Sequence, residues 1–246
     1  MPFDSHIHLG RLPNPAELAL KLDHMGYTYN AVACEPGEWN SLWEVWQKLS
    51  LKDKGCNLAF GIHPMSVTSA NESHKRELRG FLERDNGFMV GETGLDRRFP
   101  EYGNGELQEQ WFLFQAKLAL ELKRDLQIHS VGDYGRVITL LKQAGFGKSP
   151  NGTRPIFHRF GGDIGAARQI VNMGGLISVH PSTLTKKSSR IALAEIPKEN
   201  LLFETDADEN FWNADNSTDT PAIVAELVAQ RLLDTLRNVR ETAENL

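Results

Sequence analysis

Two histidines one residue apart, His6 and His8, stand behind an aspartate at the start of the chain, in the stretch FDSHIHLG. If this stretch is a β-strand, alternate side chains point to one face, and both imidazoles project to the same side near the strand's end. Two imidazoles in that arrangement can hold one metal ion. Because an H-x-H motif also occurs by chance, a metal site needs further ligands elsewhere in the sequence.

Further residues of metal-ligating types lie at the ends of other short apolar stretches. They are His63 after NLAFGI, Glu92 in MVGETGLD, His129 in LQIHS, His158 in PIFHRF and Asp206 in LLFETDAD. Buried histidines and carboxylates need polar partners, and a shared metal ion satisfies several of them at once. A structural hydrogen bond would explain any one of these residues, but their recurrence at strand ends favours a metal centre. The remaining histidines, His24, His74 and His180, show no ligand spacing.

The stretches that contain these residues alternate with helical patterns. Eight predicted strands are PFDSHIHL, NAVACE, NLAFGIH, FMVGETG, LQIHS, PIFHRF, GLISVH and LLFETD, and EYGNGE and GFGKSPNGTRP are predicted connections. The clearest helices cover residues 106–123, with apolar residues three and four apart, and a segment from Pro221 with Thr220 as its N-cap. This alternation predicts an α/β fold, a (β/α)8 TIM barrel, regular or distorted, as one domain over residues 1–246, with an open doubly wound sheet as the alternative. In a barrel, the C-terminal ends of the strands bring distant residues together.

Composition narrows the class of protein. The chain has 246 residues, of which 40% are apolar and 24% charged, and its net charge of −5 argues against a general nucleic-acid coat while leaving room for a local phosphate site. No segment approaches the roughly 20 apolar residues of a membrane span, and the start lacks a basic signal-peptide region, which predicts a cytoplasmic protein without a membrane partner. Cys34 and Cys56 lie in apolar surroundings typical of buried free thiols, and Trp39, Trp43 and Trp46 recur at helical spacing typical of a core-facing stripe.

The order of the motifs resembles a known family. DSHIH, GIHP, VGETGLD, LQEQWFLFQAKLALEL, IHS, FHRFGG and ETDAD are similar to successive motifs of the TatD-like metal-dependent hydrolases, an amidohydrolase-type group often described as deoxyribonucleases. This resemblance covers nearly the whole chain and implies a (β/α) barrel with two divalent metal ions. Carried over by position, it implies that His6, His8 and Asp206 bind one ion, that His129 and His158 bind the other, and that Glu92 bridges both. His63 would lie beside the centre and meet the substrate.

A binuclear centre predicts the chemistry of the site. Two divalent ions lower the pKa of water and stabilise charge on the attacked atom, so that no side-chain nucleophile is required. We expect Asp206 to accept the proton and Glu92 to fix the two ions, which makes these two carboxylates the predicted catalytic residues. Four imidazoles suit Zn²⁺ or Mn²⁺, whereas nuclease activity in the resembled family is usually linked to Mg²⁺, and the sequence leaves the metal open.

The sequence departs from the family pattern at the predicted substrate rim. Val131 stands where an arginine commonly follows the IHS motif, and Asp208 replaces the usual proline after ETDA. Cations remain in the neighbouring loops: Arg97 and Arg98 follow Glu92, and Lys186, Lys187 and Arg190 follow the seventh strand. We assign Arg97 to substrate binding, with solvated surface charge as the alternative for both clusters.

Together with these residues, the resemblance implies a metal-dependent phosphodiesterase or deoxyribonuclease that trims single-stranded DNA, or another phosphoester substrate, from an end, without an obligate protein partner. Phe211 or Trp212 could stack on a terminal base, or simply pack their loop onto the barrel. Two alternatives stay open: a hydrolase of a small phosphoester, amide or lactone on the same centre, and a non-catalytic metal-binding barrel. The absence of G-x-S-x-G and of G-x-G-x-x-G after the first strand argues against a serine hydrolase and a dinucleotide-binding protein.

Overall fold

Eight parallel strands form one sheet whose spatial order follows the sequence. The computed structural model describes residues 2–99, 106–147, 152–212 and 220–246. The strands are β1 (Phe3–Ile7), β2 (Thr28–Ala33), β3 (Asn57–Phe60), β4 (Met89–Asp96), β5 (Leu126–Val131), β6 (Pro155–Phe157), β7 (Leu176–Val179) and β8 (Leu201–Phe203). Each strand pairs in parallel with the next along the chain. Parallel neighbours require a crossover connection, and helices supply it.

The sheet is nearly closed between its first and last strands. The Asp206 backbone N–H donates to the His6 carbonyl oxygen at 3.0 Å, and the His8 N–H donates to the Ala207 carbonyl oxygen at 2.9 Å. The buried Asp4 carboxylate reinforces the same seam by accepting the Thr205 hydroxyl at 2.6 Å and the Thr205 N–H at 3.1 Å. The TIM-barrel prediction is therefore confirmed, and the open doubly wound alternative is wrong.

Helices surround the barrel. Within the described ranges they are α1 (Pro15–His24), α2 (Pro36–Lys48), α3 (Glu72–Leu82), α4 (Glu106–Leu122), α5 (Tyr134–Ala144), α6 (Ile164–Asn172), α7 (Pro181–Thr185), α8 (Lys187–Glu195) and α9 (Pro221–Glu244). The two helices predicted from periodicity are α4 and α9, and the hydroxyl of Thr220 accepts the Ile223 N–H at 3.4 Å as the predicted N-cap. Pro221 occupies the first turn, where the missing N–H costs no helical hydrogen bond.

The core has two layers. The larger layer joins the helices to the outer face of the sheet and includes Trp39 and Trp46, with Trp43 partly buried against it, as the predicted tryptophan stripe requires. A smaller cluster combines side chains from six strands or their ends, which places it inside the barrel; its members include Val32, Ala59 and Met89. Both cysteines are buried and unpaired, as predicted.

Several strands end earlier than the sequence patterns suggest. Strand β3 ends at Phe60 and β8 at Phe203, so His63 and Asp206 lie in the loops that follow them. Their backbone groups still bond to the neighbouring segments, the His63 N–H to the Cys34 carbonyl at 2.9 Å and the Asp206 N–H to the His6 carbonyl at 3.0 Å. Strand β4 is instead longer than predicted and continues to Asp96, opposite Val131 of β5, so Glu92 lies within the strand.

The glycines of the VGETG motif allow this strand to approach its neighbour. A Cβ on Gly94 would lie 1.8 Å from the His129 carbonyl oxygen, and one on Gly91 would lie 2.4 Å from the Gln127 carbonyl oxygen. Both glycines have positive φ values, of 156° and 124°, which side chains disfavour. The close approach brings Glu92 and His129 to the same point in the barrel.

Parts of the sequence predictions lie outside the described residues. These parts are most of EYGNGE, the centre of GFGKSPNGTRP and the last residue of ENFWN. Among the helices of the described ranges, none is long and apolar enough to cross a membrane.

Candidate metal centre

Glu92 lies at the centre of a buried cluster at the C-terminal end of the barrel. Its carboxylate is 3% exposed, and five histidines surround it. The Oε1 atom lies 2.7 Å from His129 Nδ1, 2.7 Å from His158 Nε2 and 3.5 Å from His63 Nε2. The Oε2 atom lies 3.3 Å from His6 Nε2 and 3.6 Å from His8 Nε2. The two carboxylate oxygens thus face two different groups of histidines.

Asp206 completes the first group. Its Oδ1 lies 3.4 Å from His8 Nε2 and 3.8 Å from His6 Nε2, and these three side chains form one of the clusters whose ligand atoms can share a metal ion. Ligand atoms about 2.0 to 2.2 Å from a zinc ion lie about 3 to 3.6 Å from one another. The separations in this group approach that spacing.

The second group contains His129 and His158 on either side of Glu92 Oε1. The inner nitrogens of the two rings, His129 Nδ1 and His158 Nε2, are 3.2 Å apart. His6 lies between the groups, because its ring stacks on the His158 ring with centroids 4.1 Å apart. The six residues predicted as ligands therefore converge at one buried point.

Hydrogen bonds at the outer nitrogens set the orientation of three of these rings. His6 Nδ1–H donates to Gln127 Oε1 at 3.2 Å, and His8 Nδ1–H donates to the Val32 carbonyl at 3.3 Å. His129 Nε2–H donates to Asp96 Oδ2 at 2.8 Å. Because each outer nitrogen holds the proton, each inner nitrogen presents a lone pair to the centre, as in metal-binding histidines.

The fourth ring, His158, has a weaker outer partner. Its Nδ1 lies 3.7 Å from Glu204 Oε1, which is beyond hydrogen-bond distance. That Glu204 oxygen instead accepts the backbone N–H of Arg159. The negative charge of buried Glu204 still favours a proton on His158 Nδ1, which leaves Nε2 directed at Glu92.

His63 has the opposite orientation. Its Nδ1 accepts the Met65 backbone N–H at 3.0 Å, so in the neutral ring the proton is on Nε2. The distances alone would permit a shared ion with Glu92 and His129. The hydrogen-bond pattern argues against it, because a protonated Nε2 has no lone pair for a metal. His63 therefore presents an N–H donor to the centre.

The electrostatics agree with this division. Burial lowers the pKa of His63 to about 3, against a smaller opposing effect of Glu92, so the ring is neutral at physiological pH. Burial would raise the pKa of Asp206, but the hydrogen bond with His8 and the nearby histidines hold that pKa well below its usual range. Burial opposes ionisation of Glu92 as well, yet His158 and His63 hold its pKa low. Burial would lower the pKa of His158, but Glu92 holds that pKa well above its usual range. The centre thus combines two ionised carboxylates, a neutral His63, and histidines that the carboxylates favour in the charged form when no cation lies between them.

The sequence interpretation missed several residues of the site. Asp96 ends the VGETGLD motif and binds His129, and Cys34 donates its thiol hydrogen to Glu92 Oε2 at 3.3 Å. Gln127 stands two residues before His129 and orients His6. Arg159 follows His158 and contacts Asp206 Oδ2 at 2.7 Å. Their positions within or next to the motifs were the available signal, but nothing in the sequence indicates which ligand each one contacts.

A pocket of about 450 Å³ opens from the centre to the surface. Its wall includes Arg98, Val131 and Asp208. Arg97, which the sequence analysis assigned to the substrate, instead forms an ion pair with Asp133 at 2.7 Å and is absent from this wall. A substrate role for Arg97 stays a prediction. In the second cation cluster, Lys186 lines the pocket, while Lys187 and Arg190 do not.

Phe211, Trp212 and the three remaining histidines lie outside the histidine cluster around Glu92. Phe211 and Trp212 pack partly buried against the core, and the guanidinium of Arg231 lies 4.8 Å from the centre of the Phe211 ring. These contacts favour loop packing over base stacking. His180 caps α7 by accepting the Ser182 N–H at 3.1 Å, and exposed His24 and partly buried His74 lie outside the cluster.

Comparison with known proteins connects this centre to a family. A family model described as TatD related DNase matches residues 3–245. An uncharacterized metal-dependent hydrolase TatD of Mycobacterium tuberculosis is 29% identical over 161 residues, covering 63% of this chain and 59% of that protein. A 3'-5' ssDNA/RNA exonuclease TatD of Klebsiella pneumoniae is 26% identical over 164 residues, covering 65% and 60%. The chain thus spans less than two thirds of the length of these relatives.

A solved structure gives more complete coverage. The crystal structure of the TatD homolog YjjV from Escherichia coli K12 has a TM-score of 0.70 at 24% identity and covers 100% of this chain and 98% of its own. At this level of identity the likeness establishes a shared fold.

Proposed function

Because the chain belongs to the TatD-related DNase family, we propose that it is a divalent-metal-dependent hydrolase that trims single-stranded nucleic acid from an end. The activity would reside in one barrel domain spanning residues 1–246. Two similar proteins support the substrate class by name, a 3'-5' ssDNA/RNA exonuclease of Klebsiella pneumoniae and a 3'-5' RNA nuclease of Homo sapiens.

The observation that supports a metal centre most directly is the orientation of the histidines. His6, His8 and His129 each donate the outer N–H to an acceptor and turn the inner nitrogen toward a carboxylate. The inner nitrogen of His6 is completely buried and has no hydrogen-bond partner in the described structure. Burying such a group without a partner is costly, and a cation between it and the carboxylates removes the cost.

These residues fit two divalent ions. His6, His8 and Asp206 would hold one, His129 and His158 the other, and Glu92 would contribute one oxygen to each. Mg²⁺, Zn²⁺ and Mn²⁺ are the candidates, and the four nitrogen donors favour the two transition ions over Mg²⁺. When bound, such ions lower the pKa of water and stabilise the charge that develops on an attacked phosphorus atom.

The side chains around the ions would perform the remaining steps. Asp206 directs Oδ1 toward the histidines and Oδ2 toward the pocket, and its low pKa keeps it ionised. It would accept a proton from the attacking water because the bound ions would lower the pKa of that water. The neutral His63 N–H would donate to a substrate oxygen. Glu92 would orient the inner nitrogens around its two oxygens, so a substitution there should disturb both halves of the centre.

The pocket size supports action at a chain end. A pocket of about 450 Å³ is in the range of small-molecule sites and accommodates the terminal part of a strand. A grip limited to a few phosphates gives a shallow dependence on salt, because each neutralised phosphate of a single strand contributes roughly −0.7 to the slope of log affinity against log salt. We therefore expect a slope of about −1 to −2.

Digestion of matched linear and circular single strands by metal-loaded protein tests the proposal. Linear strands should be shortened from one end, and circles of the same sequence should persist. Rapid cutting of circles would contradict end trimming. If neither substrate is cut while a small phosphoester, amide or lactone is hydrolysed, the alternative hydrolase is correct; inactivity on all of them would indicate a non-catalytic barrel.

A further inference from the structure

The pocket wall has more positive charge than the net charge of −5 suggests. Four cationic side chains line it: Arg11, Arg98, Arg159 and Lys186. Three of them contact carboxylates, Arg11, Arg98 and Arg159. Arg98 holds both oxygens of Asp96 at 2.6 to 3.1 Å, and Arg11 Nε lies 2.5 Å from Glu38 Oε1 with its side chain only 20% exposed. Arg11 therefore has little capacity for a ligand. Arg98 is 65% exposed, but its charge is neutralised by both oxygens of Asp96.

Arg159 is available to a ligand. Its side chain is 52% exposed, and one contact, from Nη1 to Asp206 Oδ2 at 2.7 Å, engages it. A guanidinium has five N–H donors. Among the described residues no other acceptor contacts this side chain, so most of its donors face the pocket. Asp206 thus holds Arg159 beside the centre without saturating it.

Lys186 is available on the same side of the pocket. Its side chain is exposed, and no described carboxylate forms an ion pair with it. A Cβ placed on Gly161 would lie 2.7 Å from Lys186 Nζ, so the ammonium lies directly over the backbone two residues after Arg159. The absence of a side chain at Gly161 allows the two cations to approach the same part of the wall.

The loop that carries Arg159 and Gly161 is held by hydrogen bonds to two neighbouring side chains. The Gly161 N–H donates to the Tyr134 hydroxyl at 2.7 Å, and the Arg159 N–H donates to the buried carboxylate of Glu204. Tyr134 packs its ring against Phe157 and Phe160. Arg159 itself has a positive φ of 45°, an uncommon backbone conformation for a side chain of this size. The backbone of Arg159 is therefore held in place beside the Lys186 ammonium.

The wall formed by the loops after β3 and β4 is different. Met65 is 36% exposed there, and Phe99 packs edge-on against His63 with ring centroids 6.0 Å apart. Both Met65 and Phe99 line the pocket. One side therefore carries Arg159 and Lys186, and another carries Met65 and Phe99 beside Arg98, whose charge Asp96 neutralises. These two sides match the phosphate and the base of a nucleotide. Asp208 adds a negative charge to the pocket wall after β8.

We propose that Arg159 and Lys186 form a phosphate-binding subsite for the phosphate next to the scissile one in a nucleic-acid strand. This inference rests on the proposed nuclease function. The subsite places positive charge beside the candidate metal centre. This chain has Val131 at the end of β5, at the position where the family commonly has an arginine. The subsite also explains why Arg159, rather than Arg97, would contact the substrate.

A charge-deletion cycle between protein and substrate tests the subsite. Single-stranded oligonucleotides carry one neutral methylphosphonate linkage, moved one step at a time from the cleaved end, and kcat/KM is measured for each strand. In the wild type, neutralising the linkage next to the scissile one should lower kcat/KM by about 10-fold, the effect of about 1.4 kcal/mol. For Arg159→Gln and Lys186→Gln this penalty should shrink to less than about 3-fold.

Two further variants serve as controls. Arg159→Lys retains the charge and should recover most of the penalty, while Lys187→Gln removes a charge beside the pocket wall and should leave the full penalty in place. A full penalty in both the Arg159→Gln and Lys186→Gln proteins would overturn the subsite while leaving the nuclease function intact. If the wild type cuts no oligonucleotide at all, the nuclease function itself is wrong, and the subsite is wrong with it.

Discussion

Asp96 accepts the Nε2–H of His129 at 2.8 Å and thereby turns the Nδ1 of that ring toward Glu92. The same carboxylate binds Arg98, and the adjacent backbone is held by Gln108, whose side-chain oxygen accepts the Asp96 N–H at 2.9 Å. Burial would raise the pKa of Asp96, but its bonds to His129 and Arg98 hold that pKa below its usual range. Asp96 therefore stays ionised and orients His129, a predicted metal ligand.

Replacing Asp96 by asparagine should weaken the ion bound by His129 and His158. Loss of such an outer partner typically lowers metal affinity by about 10- to 100-fold. Calorimetric titration of metal-free Asp96→Asn with the ion would measure the loss of affinity. It should show one site of lowered affinity and one site of normal affinity. Asp85→Asn, which removes a partly buried carboxylate paired with Lys52 outside the histidine cluster, is the matched control and should bind both ions normally. Unchanged affinities in Asp96→Asn would show that the hydrogen bond has no such role.

The metal content should be two divalent ions per chain. Elemental analysis after loading and desalting measures it directly. We expect about one ion in His129→Gln, and fewer than one in Glu92→Gln because this side chain faces both groups of histidines. His24→Gln, at an exposed position, should retain both ions. A wild-type stoichiometry well below one would contradict the binuclear centre.

Asp206→Asn should lower turnover by at least roughly 100-fold, the usual effect of losing a general base, while the fold persists. Asparagine keeps one oxygen for the ion but lacks the charge that accepts a proton. Turnover is measured in metal-loaded protein, with circular dichroism and metal content as checks. Asp208→Asn, two residues further on, should not lower turnover, since that carboxylate opposes an anionic substrate. Near-normal turnover in Asp206→Asn would assign the proton to another group.

His63→Ala should lower turnover by about 100-fold or more, as expected for the loss of a buried donor to a charged oxygen, without lowering metal content. Because the donor is a neutral N–H, His63→Gln should recover at least about tenfold of the loss. The two variants are compared by kcat and by elemental analysis in the same preparations. Loss of metal in parallel with activity would make His63 a ligand.

The stability of the metal-free protein should depend on pH through His63. Its native pKa of about 3 lies below the value of about 6.5 for an unfolded histidine, so between these values the unfolded state binds the extra proton. The contribution of His63 to the free energy of unfolding is thus greatest above pH 6.5 and decreases as the pH falls toward 3. Urea unfolding should show a decrease from pH 7 to pH 5 that is about 2 kcal/mol larger for wild type than for His63→Gln. An equal decrease in both proteins would contradict the low pKa.

The sequence by itself determined the barrel and the ligand types. Short apolar stretches alternating with helical periodicity predict parallel strands joined by helices, and a barrel brings their C-terminal ends together, so His6, Glu92 and Asp206 could be placed at one site without coordinates. The same periodicity located both ends of α4 and the beginning of α9 to within a residue. These features are local, because they depend on the order of side chains along one segment.

The tertiary structure decided which atom of each ligand faces the centre. The proton on His129 Nε2 depends on Asp96, 33 positions away, and the contact of Arg159 with Asp206 joins residues 47 positions apart. Arg98 rather than Arg97 lines the pocket for a similar reason, since the strand end turns one arginine toward Asp96 and the other toward Asp133. Such pairings arise from side-chain directions across different strands, which spacing along the chain does not encode.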